Sequence, residues 1–296
     1  MQPLAKELQT LKQNLQEFSD VTQRVLSHIE NVVTGQKKIK DYFIYSSSSA
    51  GTTKYTRPIN RRLFFLNSQE FKENFDLFIR ILHEVESGKT DFDDESYFAI
   101  DSVTYTIQQS IGIGLDLLVN PNSARKHMGN RFEELIRLIV SELGIAHKKI
   151  VLKIPYSDDK KDIYSCETDL VFSPFKTVKS NSSYIDPNEV VVSLKTSSKD
   201  RMGKIFIDKL LMREFVGHNV KVVGIFLNDV QRKETEQISY TFVSGLFMVY
   251  TKFLTQTEGM YFIDLPPITR REPHSKYIFP FSKFIIEDIW TLIGKR

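Results

Sequence analysis

Cysteine is almost missing: Cys166 is the only one in 296 residues. That excludes an intramolecular disulfide and a cysteine-built zinc site, and it suits a reducing compartment. No run approaches the roughly 18 apolar residues of a membrane span, and the opening MQPLAKELQ lacks an apolar signal core. The expectation is a soluble, cytoplasmic protein with no membrane partner. Charge of one sign is not in excess either. Lys plus Arg number 40 and Asp plus Glu 37, a net charge of +3. A nonspecific polycationic coat would be more basic, whereas basic groups gathered in one cleft remain compatible with this balance. No internal repeat is visible. What the chain does have is apolar residues, 41 % of the total with 22 phenylalanines, enough for one large domain or two modest ones.

Residues 3–33 predict one long helix. Leu4, Leu8, Leu11, Leu15 and Phe18 recur in alternating steps of four and three; Val25, Ile29 and Val32 keep the register, and Thr22 interrupts it. Such a seam serves either as an amphipathic face packed on its own domain or as a dimerisation arm. The polar stretch 36–62, with SSSSAGTT inside it, predicts a flexible loop followed by a basic patch at Arg57, Arg61 and Arg62. Helices are predicted over 68–87 and about 95–118, which makes 1–120 a helical N-terminal region for dimerisation and clamping.

The rhythm changes in 121–296. A helix over 122–143, capped by Asn122 and stopped by Gly144, precedes strands at 149–154, 163–172 and 189–195. A helix at 203–215, a strand at 221–227, a helix at 240–254, a strand at 260–265 and a closing helix at 279–293 follow. Three consecutive strands make a meander, and the helix after the third crosses to a parallel partner. The fold class is therefore α/β, a mixed β-sheet flanked by helices.

The chemistry concentrates in EVVVSLKTSSKDR, residues 189–201. An apolar strand delivers Ser193 and Lys195 to its end, and Lys199, Asp200 and Arg201 follow at once. Asp169 stands 24 residues before Ser193, at the end of another strand-like run. Phosphodiester hydrolysis calls for carboxylates that hold a divalent metal, a lysine that orients or deprotonates the nucleophile, and a rigid frame around both. Asp169 and Lys195 fit those roles if their strands are neighbours. Glu133, on the helix before, and Asp208, thirteen residues past Lys195, are further candidates. Glu134 beside Glu133, Glu167 and Asp229 suit surface or turn roles. Lys199, Asp200 and Arg201 suit the edges of G·C pairs, or else a solvated helix start.

Over about residues 125–290 the chain resembles the PD-(D/E)-x-K nuclease superfamily. More narrowly, it resembles type II restriction endonucleases that read CC/GG-containing sites. The seven residues Lys195-Thr196-Ser197-Ser198-Lys199-Asp200-Arg201 carry the likeness; elsewhere it is a pattern only. In that branch a small residue, here Ser193, replaces the second acid, and a carboxylate on the next helix, here Asp208, stands in for it. The branch usually has Glu at that place, and Thr168 stands where the motif has Pro. The resemblance implies a restriction-endonuclease-like core and metal-dependent cleavage of double-stranded DNA at a short G·C-containing site, palindromic or nearly so. It implies Mg2+ held by Asp169, Asp208 and Glu133, Lys195 at the nucleophile, and base contacts from Lys199, Asp200 and Arg201. A homodimer, or a tetramer, and a cognate DNA methyltransferase as genetic partner come with it. Two other expectations stay open: a structure-selective repair or recombination nuclease, and a non-catalytic DNA-binding protein.

Overall fold

The computed structural model describes every residue except Met1, Ala50, Lys160, Lys199, Asp200, Thr235 and Glu236. Asn14 breaks the long helix expected at the start. Its Oδ1 accepts from Glu17 N at 2.9 Å, while Glu17 Oε2 accepts from Gln13 N at 3.1 Å. This reciprocal cap starts a new helix, so the segment is α1 (Leu4–Gln9) followed by α2 (Leu15–Val32). Leu8, Leu15, Phe18, Val25 and Ile29 all turn into the protein's own core, and Leu11 alone, in the link between the helices, stands 51 % exposed. The seam is therefore packed within the chain.

The loop expected over 36–62 is instead an antiparallel sheet: β1 (Gly35–Ile39), β2 (Tyr42–Ser49), β3 (Thr52–Tyr55) and β4 (Ile59–Asn60). Its serines need no apolar pattern, because cross-strand pairs satisfy the backbone on both sides of β2. Helices α3 (Ser68–Glu86) and α4 (Asp94–Leu118) lie where the periodicity puts them. In α5 (Pro121–Glu142) the cap is Asn120 rather than Asn122, with Pro121 at the first helical position.

The second half carries β5 (Ala146–Lys148), β6 (Val151–Pro155), β7 (Ile163–Glu167), β8 (Leu170–Ser173) and β9 (Val190–Lys195). Then come α6 (Met202–Val216), β10 (Lys221–Phe226), β11 (Val230–Lys233), β12 (Gln237–Tyr240), α7 (Ser244–Phe253), β13 (Gly259–Phe262) and β14 (Ile278–Pro280). Helical turns over 281–292, π-type in the middle, close the chain. Three expectations shift here. The run 163–172 splits in two, because Thr168 turns aside to bond Ile150 N and O through its hydroxyl; Asp169 thus precedes a strand rather than ending one. Residue Tyr240 ends a β-hairpin, so the helix expected from 240 begins at Ser244. The closing helix begins only after β14.

Six strands form the main sheet in the order β14-β13-β10-β9-β8-β5. Strands β9, β10, β13 and β14 run parallel; β8 is antiparallel to β9, and β5, antiparallel to β8, runs in the direction of β9 again. The expected crossover from β9 through α6 to a parallel β10 is present. Alternation along the strands feeds two cores. Val190, Val192 and Leu194 face α4, α5 and the closing turns; Val191 faces α6 and α7. The fold is α/β with a mixed sheet between helical layers. Among the described residues no helix is long and apolar enough to cross a membrane.

Candidate active site

Strand register brings the first pair together. Leu170 lies opposite Val192 across the antiparallel β8–β9 pair, so the residue before Leu170 meets those after Val192. Asp169 Oδ2 accepts from Leu194 N at 2.7 Å and from Lys195 Nζ at 2.5 Å, and Ser193 Oγ stands off at 3.4 Å. Ser193 and Lys195 share the parity of Val191, which turns both toward α6. Helix α6 comes close to the sheet at Gly224 of β10: a Cβ there would lie 3.0 Å from Ile205 Cδ1. One turn further on, Asp208 reaches the same space, held by Lys204 Nζ at 2.5 and 2.7 Å.

Asp169, Ser193, Lys195, Arg201 and Asp208 line one cleft of about 440 Å³. Glu133 approaches the pair from α5. Its carboxyl is half-buried and lies above the usual carboxylate range, first because burial penalises its charge and then because Asp169 is near; Lys149 and Lys195 oppose that rise. Glu134 points the other way. It is buried, paired with Arg131, and accepts from Lys12 N at 3.1 Å. Of the two adjacent acids, Glu133 is thus the one beside Asp169, although it does not line the cleft.

Among the described residues no three His, Cys, Asp or Glu side chains converge closely enough to hold a metal. Two carboxylates in one open cleft nevertheless suit magnesium, which takes hard oxygen ligands and keeps several waters. The oxygen donors present in the cleft, Asp169 and Asp208, are of the type magnesium takes.

Lys199 and Asp200 lie outside the described residues. Arg201 is exposed at the start of α6 and borders both the first cleft and a second one of about 700 Å³. Arg57, Arg125, Gln231 and Arg232 also line this second cleft. Arg57 is fixed by Asp116 through two bonds of 2.9 Å, and Gln231 Nε2 donates to Ser197 Oγ at 2.7 Å. Arg57 belonged to the basic patch expected from the sequence. Gln231 and Arg232 did not stand out, because their hairpin strands are only four residues long, and Arg125 lies in the first turns of α5, where its charge reads as an ordinary solvated helix residue. Cys166 is buried, Glu167 is exposed on β7 with Lys149 at 3.5 Å, and Asp229 sits in the buried turn after β10.

No protein-family model matches this chain, and no curated protein does. Solved structures do. The crystal structure of the type IIP restriction endonuclease Kpn2I aligns with a TM-score of 0.71 over 95 % of this chain and 92 % of its own, at 17 % identity. The chain has the restriction-endonuclease-like fold. A complex of the restriction endonuclease PspGI with substrate DNA aligns more loosely, with a TM-score of 0.42 over 76 % of this chain and 93 % of that one, at 10 % identity.

Proposed function

We propose that this protein is a magnesium-dependent, site-specific endonuclease that cleaves double-stranded DNA at a short G·C-containing site, acting as a homodimer. The observation that carries the reading is the contact of Lys195 Nζ with Asp169 Oδ2 at 2.5 Å, in a cleft shared with Ser193 and Asp208. Asp169 and Asp208 hold the metal, and Glu133 assists from the margin. When bound there, magnesium would supply Lewis-acid activation of water and neutralisation of phosphate charge. Lys195 orients the attacking water and offsets charge that develops on the phosphoryl oxygens. Asp169 keeps that ammonium in place, and Leu194 N keeps Asp169 in place. Lys199, Asp200 and Arg201 read G·C edges, where each good bidentate contact discriminates by roughly 1–3 kcal/mol. Arg57 and Arg125 clamp the phosphate backbone along the second cleft. Two cuts on antiparallel strands need two sites related by a two-fold axis, hence the dimer. A cognate methyltransferase would protect the host's own sites.

The test is digestion of a long unmethylated DNA with magnesium and with EDTA, beside the Lys195→Ala variant. Discrete fragments are expected only with metal and only with Lys195, while the variant still binds the site. A smear, or cleavage that survives EDTA, refutes the reading. So does equal loss of binding and cleavage in the variant.

A further inference from the structure

Helix α7 leaves one face bare. Its ten residues hold a single charge, Lys252, yet only Phe247 is buried. Leu246, Val249 and Phe253 follow at helical spacing on one side, flanked by Val243 and Leu254. Ile207 of α6 extends the patch, because Gly203, one turn before it, packs directly against Tyr250 of α7. These six side chains are each between 42 and 71 % exposed. Gly245, one turn before Val249, has open space where a Cβ would stand, so the backbone itself is approachable there.

Area points to what covers this face. An open aromatic side chain offers roughly 150–250 Å² and an aliphatic one somewhat less, so the six residues present on the order of 600 Å² of apolar surface. That is at the upper end of what monomers leave bare, about 300–600 Å². It is also most of the roughly 800 Å² that each partner gives to a standard interface. Position points the same way. Helix α7 follows directly on the β11–β12 hairpin, whose Gln231 bonds Ser197 and lines the cleft shared with Arg201. Thr241, between the hairpin and α7, bonds Ser198 at 2.9 Å. The bare face is therefore coupled to the elements placed at the DNA. Two copies that act on one two-fold target must meet beside those elements, and the N-terminal seam is already spent in the core.

We infer that the α7 face, with Ile207 of α6, is the surface on which a second copy of this chain docks. The inference rests on the endonuclease reading for its choice of partner. Its test does not need cleavage. The mass of the full chain is measured by light scattering at micromolar concentration, without DNA or metal, for the wild type, Phe253→Asp, Val249→Lys and, as a control, Leu11→Asp. The wild type and the control are expected at twice the chain mass of 34.4 kDa, and the two α7 variants at one chain mass with unchanged melting temperatures. A monomeric wild type overturns the inference. So do α7 variants that keep their folded state and the dimer mass. Should Phe253→Asp fail to fold, Val249→Lys decides alone. A wild-type dimer that cuts no DNA leaves the surface standing and removes the endonuclease reading; a wild type that cuts at discrete sites while the α7 variants remain dimeric does the reverse.

Discussion

Asp264 joins the N-terminal sheet to the main sheet, and its removal has a calculable cost. The residue follows β13 and is almost fully buried. Its Oδ2 accepts from Tyr42 Oη at 2.9 Å and its Oδ1 from Asn60 Nδ2 at 2.8 Å, both from the N-terminal sheet. Asp264→Ala strands two buried donors, each costing about 1–3 kcal/mol, so a loss of about 2–6 kcal/mol is expected. Asp264→Asn keeps the shape and one oxygen, and it should lose less. A pH signature separates the two effects. Burial raises the Asp264 carboxyl to about 6, against an ordinary value of 3.8, and raises Asp229 to about 7, with the charge of Asp264 adding to it. The folded state therefore holds protons that the unfolded chain has already released. Stability from this pair is full below about pH 4 and falls as pH rises through 6 and 7. At about 1.4 kcal/mol per pH unit, Asp264 alone makes the folded state on the order of 3 kcal/mol less stable at pH 7.5 than at acid pH. Urea unfolding of the wild type and Asp264→Asn between about pH 4 and 7.5, which spans the unfolded and folded values of Asp264, reads this directly. The wild type should lose stability with rising pH, and the variant should lose distinctly less. Identical slopes, or an Asp264→Ala variant as stable as the wild type, refute the reasoning.

Other variants have equally definite expectations. Lys209 is buried and binds both oxygens of Glu258, at 2.7 and 2.8 Å, so Lys209→Ala should cost about 2–4 kcal/mol in urea unfolding; Lys209→Met with Glu258→Gln should recover part of it. The adjacent acids should separate cleanly. Glu134→Ala lowers the melting temperature by several degrees because it strands buried Arg131. Glu133→Ala leaves the melting temperature within a degree or two but slows single-turnover cleavage at least tenfold, on the order of 1.4 kcal/mol or more in activation free energy. Arg201→Ala should weaken specific binding by about 1–3 kcal/mol and leave nonspecific binding nearly unchanged in filter assays; a uniform loss would make it a phosphate contact.

Local signals made most of the fold legible, and non-local ones hid the rest. Helices α3 to α6 follow from apolar spacing, with ends within a few residues. The break after α1 was also legible: Asn14 and Glu17 form a capping pair three residues apart, but the leucine register masks it. The serine strand β2 was not, because its pairing with β1 and β3, rather than its own pattern, makes it a strand. Asp169 and Lys195 could be paired because each borders an apolar run, although Asp169 precedes its strand β8 rather than ending a strand. Glu134, expected at the surface, is buried instead, because Arg131 and the backbone of Lys12, 122 residues away in sequence, engage it. The bare face of α7 was hidden too, because its residues read like any buried helix.

The two carboxylates in the cleft are held in different ways, and the difference bears on how a metal could be admitted. Asp169 is anchored by backbone: Leu194 N fixes Oδ2 at 2.7 Å through strand register, which leaves little freedom to rotate. Among the described residues Asp208 is held by Lys204 alone, an i,i+4 pair on one helix whose lysine is more than half exposed. Such pairs contribute only about 0.3–0.5 kcal/mol, so Asp208 gives up its partner at little cost and can turn toward a cation. Placing the second acid on α6 rather than at Ser193 also removes a repulsion. A carboxylate at 193 would stand against Asp169 within a few ångströms, where like charges raise each other's proton affinity. Ser193 avoids that, and the arrangement combines one rigidly held carboxylate with one adjustable one in the cleft that Lys195 lines.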